Sequence, residues 1–233
     1  MKGSAETLMK GFTKEDDGKS ALFAYDLRTR RLIKKFTPPT DGPHLLNDLA
    51  LDREGRVFAT DTRSNEIFSL ARDALTRDGG ALQVLLPAGT LESPNGIAIS
   101  DDGRQLFIAS IPQGVYRLDL KTRQLARLPH PQGISLVGID GLYFYKQSLV
   151  GVLNLINPGR VARFYLNPSL DRVTRTEIIE CNNPLFDDPT TGALAEGSLY
   201  FIANSQYESA FDESGAILPT GKLRDVFILK AKL

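Results

Sequence analysis

The 233 residues include one cysteine, no tryptophan, two methionines and two histidines. A lone thiol, Cys181, excludes an internal disulfide and any cysteine-based metal cluster, and says nothing about redox compartment; it reads as a small, half-buried side chain. His44 and His130 both lie beside prolines, and neither an HExxH helix nor a GxSxG elbow accompanies them. His44, just upstream of Asn47, is expected near the functional mouth and His130 on the rim. Charge of one sign is also lacking: 28 basic residues balance 28 acidic ones, with a pI near 6.8. That balance excludes a general electrostatic grip on nucleic acid or an anionic membrane. No glycine-rich phosphate loop joins a strand to a helix, and hardly any stretch reads as helix. No apolar run approaches the roughly 20 residues of a membrane span, and MKGSAETLMKGFTKEDDGKS lacks a signal h-region. The chain is therefore expected to be soluble, cytoplasmic by default, and secreted or periplasmic if its start is truncated.

What is present is repetition. NDLALDREGRVFATDTRSNEIFSL from Asn47, NGIAISDDGRQLFIASIPQGVYRLDL from Asn95, DGLYFYKQSLVGVLNLINPGRVARFYL from Asp140 and TGALAEGSLYFIANS from Thr191 follow one plan. Their starts are 48, 45 and 51 residues apart, close to the period of a propeller blade of four short strands. Each unit opens on an apolar run, turns through Gly or charged residues, and continues with a second and third strand. Continuous apolar triplets, where half-exposed strands would alternate, indicate blades covered on both faces. Outer strands such as LQVLLP and RQLARLP carry more charge, as edges do. The expected fold is all-β: one β-propeller domain over residues 1–233, with a partial blade in 1–40 and blades starting near 47, 95, 140 and 191. Residues 21–37 match a third and fourth strand, with ETLMKGFT before them as a second. The count, about four and a half blades, suits either a ring closed by joining two partial blades or a fragment of a larger ring, and the fragment is favoured. QYESAFDESGAILPTGKLR, after Asn204, reads as a long loop over one face.

Aligned units place Asn47, Asn95, Asp140 and Thr191 before the first strands, and Asp61, Ser110, Asn154 and Asn204 at the ends of the second strands. All eight bear oxygen. First strands line a propeller's channel, so a ring of carbonyl and carboxylate oxygens at its mouth suits a hard divalent cation, Ca²⁺ before Mg²⁺. Turn chemistry explains any one of these positions equally well, because Asn and Asp side chains bond nearby backbone amides. The case rests on Asn95 and Asp140 recurring in register. Asp187 and Asp188, adjacent in an extended chain, read as turn formers. Arg28, Arg30, Arg31, Lys34 and Lys35 fall at a hairpin and an outer edge, where they are expected to be solvated.

LLNDLALDREGRVFATDT, SPNGIAISDDGRQLFIAS and GIDGLYFYKQSLVGVLN resemble successive blade openings of the senescence marker protein (regucalcin)/gluconolactonase superfamily of six-bladed propellers, over about residues 21–206. The resemblance implies a divalent metal, usually calcium, at the channel mouth and hydrolysis of lactones or related esters. It implies Asn95 as a metal ligand, Asp140 as metal ligand and general base, and Asn47 contacting metal-bound water or substrate; Asn154 and Asn204, from the second-strand set, are expected as further substrate contacts. Nothing in residues 1–20 matches the family's first-blade Glu ligand. Leu45 stands where some sugar lactonases carry a substrate-binding Arg, so sugar acids are not supported. ALFAYDLRTRRLIKKFTPP resembles the yellow/royal-jelly propellers, which keeps open a propeller that binds a small molecule or protein partner without catalysis. Open blade edges also imply self-association.

Overall fold

The computed structural model describes residues 13–213 and 216–233. Short β-prone runs separated by tight turns pair with their sequence neighbours, so every sheet is an antiparallel meander. A two-stranded sheet, β1 (Leu22–Tyr25) and β2 (Leu32–Phe36), precedes four blades. The first blade is β3 (Leu46–Leu51), β4 (Val57–Asp61), β5 (Glu66–Leu70) and β6 (Gln83–Leu86). The second is β7 (Pro94–Ile99), β8 (Gln105–Ser110), β9 (Gly114–Asp119) and β10 (Leu125–Arg127). The third is β11 (Ile139–Phe144), β12 (Ser148–Leu153), β13 (Arg160–Leu166) and β14 (Val173–Cys181). The fourth has three strands, β15 (Gly192–Ala195), β16 (Ser198–Ile202) and β17 (Ile228–Lys232). The protein is thus the all-β propeller that the repeat indicates. Among the described residues helix is confined to short 3₁₀ turns such as Arg72–Leu75, and no helix is long and apolar enough to cross a membrane. The strand expected in ETLMKGFT lies outside the described residues but for its final threonine.

The turns obey local chemistry even where glycine is missing. Lys146 and Gln147 join β11 to β12 with φ of 42° and 58°, the pair of left-handed residues that lets a two-residue hairpin match the strand twist.

Burial explains the apolar triplets. One core cluster lies between each pair of successive sheets. Phe107 and Ala98 of the second blade meet Leu142 and Phe164 of the third, and Val150, Val152 and Val161 of the third meet Leu199 and Phe201 of the fourth. A second strand is covered from both sides, so all six residues of β12 are buried.

The blades come closest along their first strands, where β3, β7 and β11 are neighbours. Each of the three carries a register shift near its start: between Leu46 and Leu49, Pro94 and Ile97, and Ile139 and Gly141. Such bulges bend a strand and redirect its side chains. Beside the bulge the backbones leave little room. A Cβ on Gly96 would lie 2.5 Å from the Asp140 carbonyl oxygen and 2.8 Å from the Leu142 nitrogen. Gly96→Ala is therefore expected to lower stability in urea unfolding by about 1–3 kcal/mol, the usual cost of overpacking. Gly221→Ala, where nothing lies within 4 Å, should change it far less.

Candidate active site

The bulged starts of the inner strands bring Asp48, Asn95 and Asp140 to one end of the blades. Asp48 follows the predicted Asn47 and occupies the register held by Gly96, Gly141 and Gly192 in the later blades. Its Oδ2 accepts the Ile97 N–H of the next blade at 3.1 Å, and its Oδ1 accepts the Leu49 N–H at 2.8 Å. A carboxylate thus bridges the first and second blades where the others have glycine. Asp140 is held from two sides: its Oδ2 accepts from Asn154 Nδ2 at 2.8 Å and from Thr190 Oγ1 at 2.5 Å. Thr190 precedes the fourth blade, and the Tyr143 hydroxyl, accepting the Gly192 N–H at 2.6 Å and lying 3.0 Å from Thr191 Oγ1, joins the same two blades.

The predicted residues divide into two groups. Asn95 is buried, and among the described residues its Oδ1 has no hydrogen-bond partner; Asn154 Oδ1 is likewise buried and unpartnered there. Leaving a buried acceptor unmet costs on the order of 1–3 kcal/mol, and such atoms in a native fold point to a role beyond packing. Asn47 is exposed, and its Nδ2 donates to Thr62 Oγ1 at 2.9 Å. Asn204 is fully committed elsewhere: its Nδ2 donates to the Asp225 carbonyl and its Oδ1 accepts the Phe227 N–H, so it clamps the return of the long loop. Asp187, which also receives Arg224 and Ser209, and Asp188, which accepts the Glu208 N–H, hold the same loop. Two other residues that close second strands are turn clamps as well. Asp61 accepts the Leu45, Arg63 and Ser64 N–H groups, and Ser110 donates to the Glu92 carbonyl.

His44 takes no part in the mouth. It is buried, with Nδ1 2.8 Å from Asp61 Oδ2 and Nε2 2.9 Å from the Thr40 carbonyl oxygen. Both ring nitrogens are thereby occupied by structural partners. His130 is half-buried, with Nδ1 3.2 Å from the Pro131 carbonyl oxygen.

Asp48 is the residue that alignment by unit passed over, because the repeat drew attention to the opener rather than to the position after it. The available signal was its charge where the other blades have glycine. Burial pushes its carboxyl up to about 6, against the opposing pull of the Ile97 and Leu49 N–H groups, and the charge of Asp140 adds to the rise. Burial likewise raises the Tyr143 phenol; its bonds to Thr191 and Gly192 oppose this, and both carboxylates reinforce it. Asp48, Asp140 and Tyr143 therefore share one electrostatic neighbourhood.

Among the described residues no group of three or more His, Cys, Asp or Glu side chains is arranged to hold a metal ion. The oxygen donors at the mouth are two carboxylates, Asp48 and Asp140, and two unsatisfied amides, Asn95 and Asn154. This donor chemistry suits a hard cation and not zinc.

The raised carboxyl has a consequence for stability. With an ordinary value of 3.8 and a folded value of about 6, Asp48 holds its proton more tightly when folded. Its favourable contribution is complete below pH 4 and is lost as pH rises to 6. In urea titrations with EDTA, Asp48→Asn should gain stability relative to wild type across that window, by up to about 3 kcal/mol at pH 7.

A family model described as SMP-30/Gluconolactonase/LRE-like region matches residues 12–175. No curated protein matches the chain significantly. Among solved structures it is similar to a luciferin-regenerating enzyme, with 14% identity and a TM-score of 0.58 over 93% of this chain and 71% of that one. Virginiamycin B lyase from Staphylococcus aureus gives 13% and 0.57, over 91% and 63%. A gluconolactonase from Xanthomonas campestris gives 17% and 0.51, over 78% and 68%. At such identities the structures speak for the fold alone, and the chain spans 53% to 71% of the length of such matches. The family match covers most of the sequence, from the two-stranded sheet into the third blade, and includes every residue of the mouth except Thr190, Thr191 and Gly192: the chain belongs to the SMP-30/gluconolactonase/LRE-like family.

Proposed function

We propose that the chain is a lactonase-like hydrolase that opens lactones or related esters at the mouth formed by the inner strands, and that it depends on a divalent cation, Ca²⁺ in preference to others. Family membership supports the reaction class. The observation that carries the reading is the convergence of two mutually repelling carboxylates, Asp48 and Asp140, with two buried amide oxygens that no protein group satisfies. Asn95 and Asp140 are the ligands in this reading, with the Asn154 carbonyl oxygen beside them. When bound, the cation would polarise the ester carbonyl and stabilise the charge developing on it.

The protein's own groups do the rest. Asn154 and Thr190 fix one oxygen of Asp140. Among the described residues the other accepts no hydrogen bond, and it takes the proton of the attacking water. That proton passes to the alkoxide as the carbon–oxygen bond breaks, which leaves a hydroxy acid. Asp48 keeps the local potential negative, favouring a cation and disfavouring a second anion. Asn47, exposed at the rim, is placed to contact substrate. Asn204 lies outside this scheme because both its amide atoms hold the loop.

The test is calorimetry with Ca²⁺ after EDTA treatment, together with a lactone-hydrolysis assay. Asp140→Asn should weaken Ca²⁺ binding at least tenfold and slow hydrolysis by roughly 10²–10⁴, the range of a lost general base. Tight ligand binding that ignores EDTA, without turnover, would instead mark a propeller that binds and does not catalyse.

A further inference from the structure

A second cleft, of about 260 Å³, opens beside the third blade. It lies between one face of the outer strands β13 and β14 and the segment 133–135 that leads into β11, and its lining includes neither Asp48 nor Asp140. Apolar and polar groups share its walls equally, the apolar part coming from residues such as Ile134, Ile156, Phe164 and Ile178. Arg160, at the start of β13, also lines it. The backbone pairs Arg160 with Leu153 across the β12–β13 hairpin and with Cys181 on β14, so its Cα is fixed by neighbours on both sides.

The Arg160 guanidinium is the anomaly. Its Nε is buried, and among the described residues it has no hydrogen-bond partner and no carboxylate forms an ion pair with the guanidinium. Other partly buried arginines are answered: Arg56 by Asp52 and Arg163 by the Ser148 hydroxyl. A buried donor on a permanent cation is retained at a cost unless an acceptor meets it. The Thr176 hydroxyl also lines the cleft and donates to the Arg163 carbonyl at 3.3 Å, but it forms no hydrogen bond with Arg160.

We infer that this cleft is a binding site for a small organic carboxylate, whose head group pairs with Arg160 and whose hydrocarbon body lies against Ile134, Ile156 and Ile178. A planar guanidinium is matched to a carboxylate in a two-point hydrogen bond. The isoleucine walls distinguish such a ligand from an inorganic anion, which gains nothing from apolar contact. The volume sits just below the range of roughly 300–1,000 Å³ for drug-sized ligands, so a short chain is the fitting size.

Hexanoate is a suitable probe, titrated into the full chain with EDTA present so that the outcome is independent of metal at the mouth. The readouts are the Arg160 Nε–H resonance and the isoleucine methyl resonances. Saturable shifts at Arg160 and at the Ile134 and Ile178 methyls are expected, with 1-hexanol binding at least tenfold more weakly. Arg160→Gln should weaken hexanoate at least tenfold, and Arg160→Lys should recover part of that loss. The wild-type comparison of hexanoate with hexanol stands even if either variant fails to fold. Absence of shifts at these residues, equal affinity for hexanol, or sulfate binding as tightly as hexanoate would each overturn the proposal.

Discussion

The close approach of the inner strands at one end of the blades governs much else in the molecule. There is no space for a Cβ at Gly96 because the Asp140 carbonyl and the Leu142 nitrogen stand against it; a Cβ on Gly192 would likewise be blocked, but by the next strand of its own blade, 2.1 Å from the Tyr200 carbonyl oxygen. Strands this close cannot keep a uniform ladder, and the first three blades each shift register at this level. The shift and the glycine together turn the preceding residue, Asn95 or Asp140, out of the sheet pattern. A packing constraint and the candidate site thus share the same few positions.

Asp48 shows what happens when a carboxylate takes the glycine's place. It spans to the Ile97 N–H of the next blade, which offsets part of the cost of its burial, but it also lies within electrostatic reach of Asp140. Two like charges held together in a half-buried cleft oppose the fold, and a divalent cation would relieve them. The arrangement fits the general observation that sites are poised at the expense of stability.

Away from the mouth, side chains with similar sequence signatures are spent on architecture. Asp61 ties His44 and three backbone N–H groups into the turn after β4, while Asn204 and Gln206 hold the far end of the long loop through Asp225, Phe227 and Arg224. Each of these polar groups is buried and each is answered. Asn95 Oδ1, Asn154 Oδ1 and Arg160 Nε differ in being buried and unanswered. Ser64 Oγ and Gln105 Oε1 share that state among the described residues, so it is position at the mouth or in the cleft, together with the unmet hydrogen bond, that singles out the candidate residues.

The sequence alone determined the blades. Periodic recurrence of apolar runs and turns is a local property, and strands that pair with their chain neighbours need no long-range information, so the openings at Asn47, Asn95 and Asp140 were legible at once. The pairing of Asn95 with Asp140 as a candidate site was legible too, because register carries it. What the repeat could not reveal was direction and partnership. Only the tertiary structure decided that His44 turns to Asp61 and Thr40, that Asn204 is consumed by a loop clamp, that Asp48 enters the candidate site and that, among the described residues, Arg160 Nε is left without an acceptor. The physical reason is that these outcomes depend on which groups meet across turns, loops and blades, from His44 with Asp61, 17 residues apart, to Asp48 with Ile97 and Asp140 with Thr190, 49 and 50 apart, and such meetings are settled by packing.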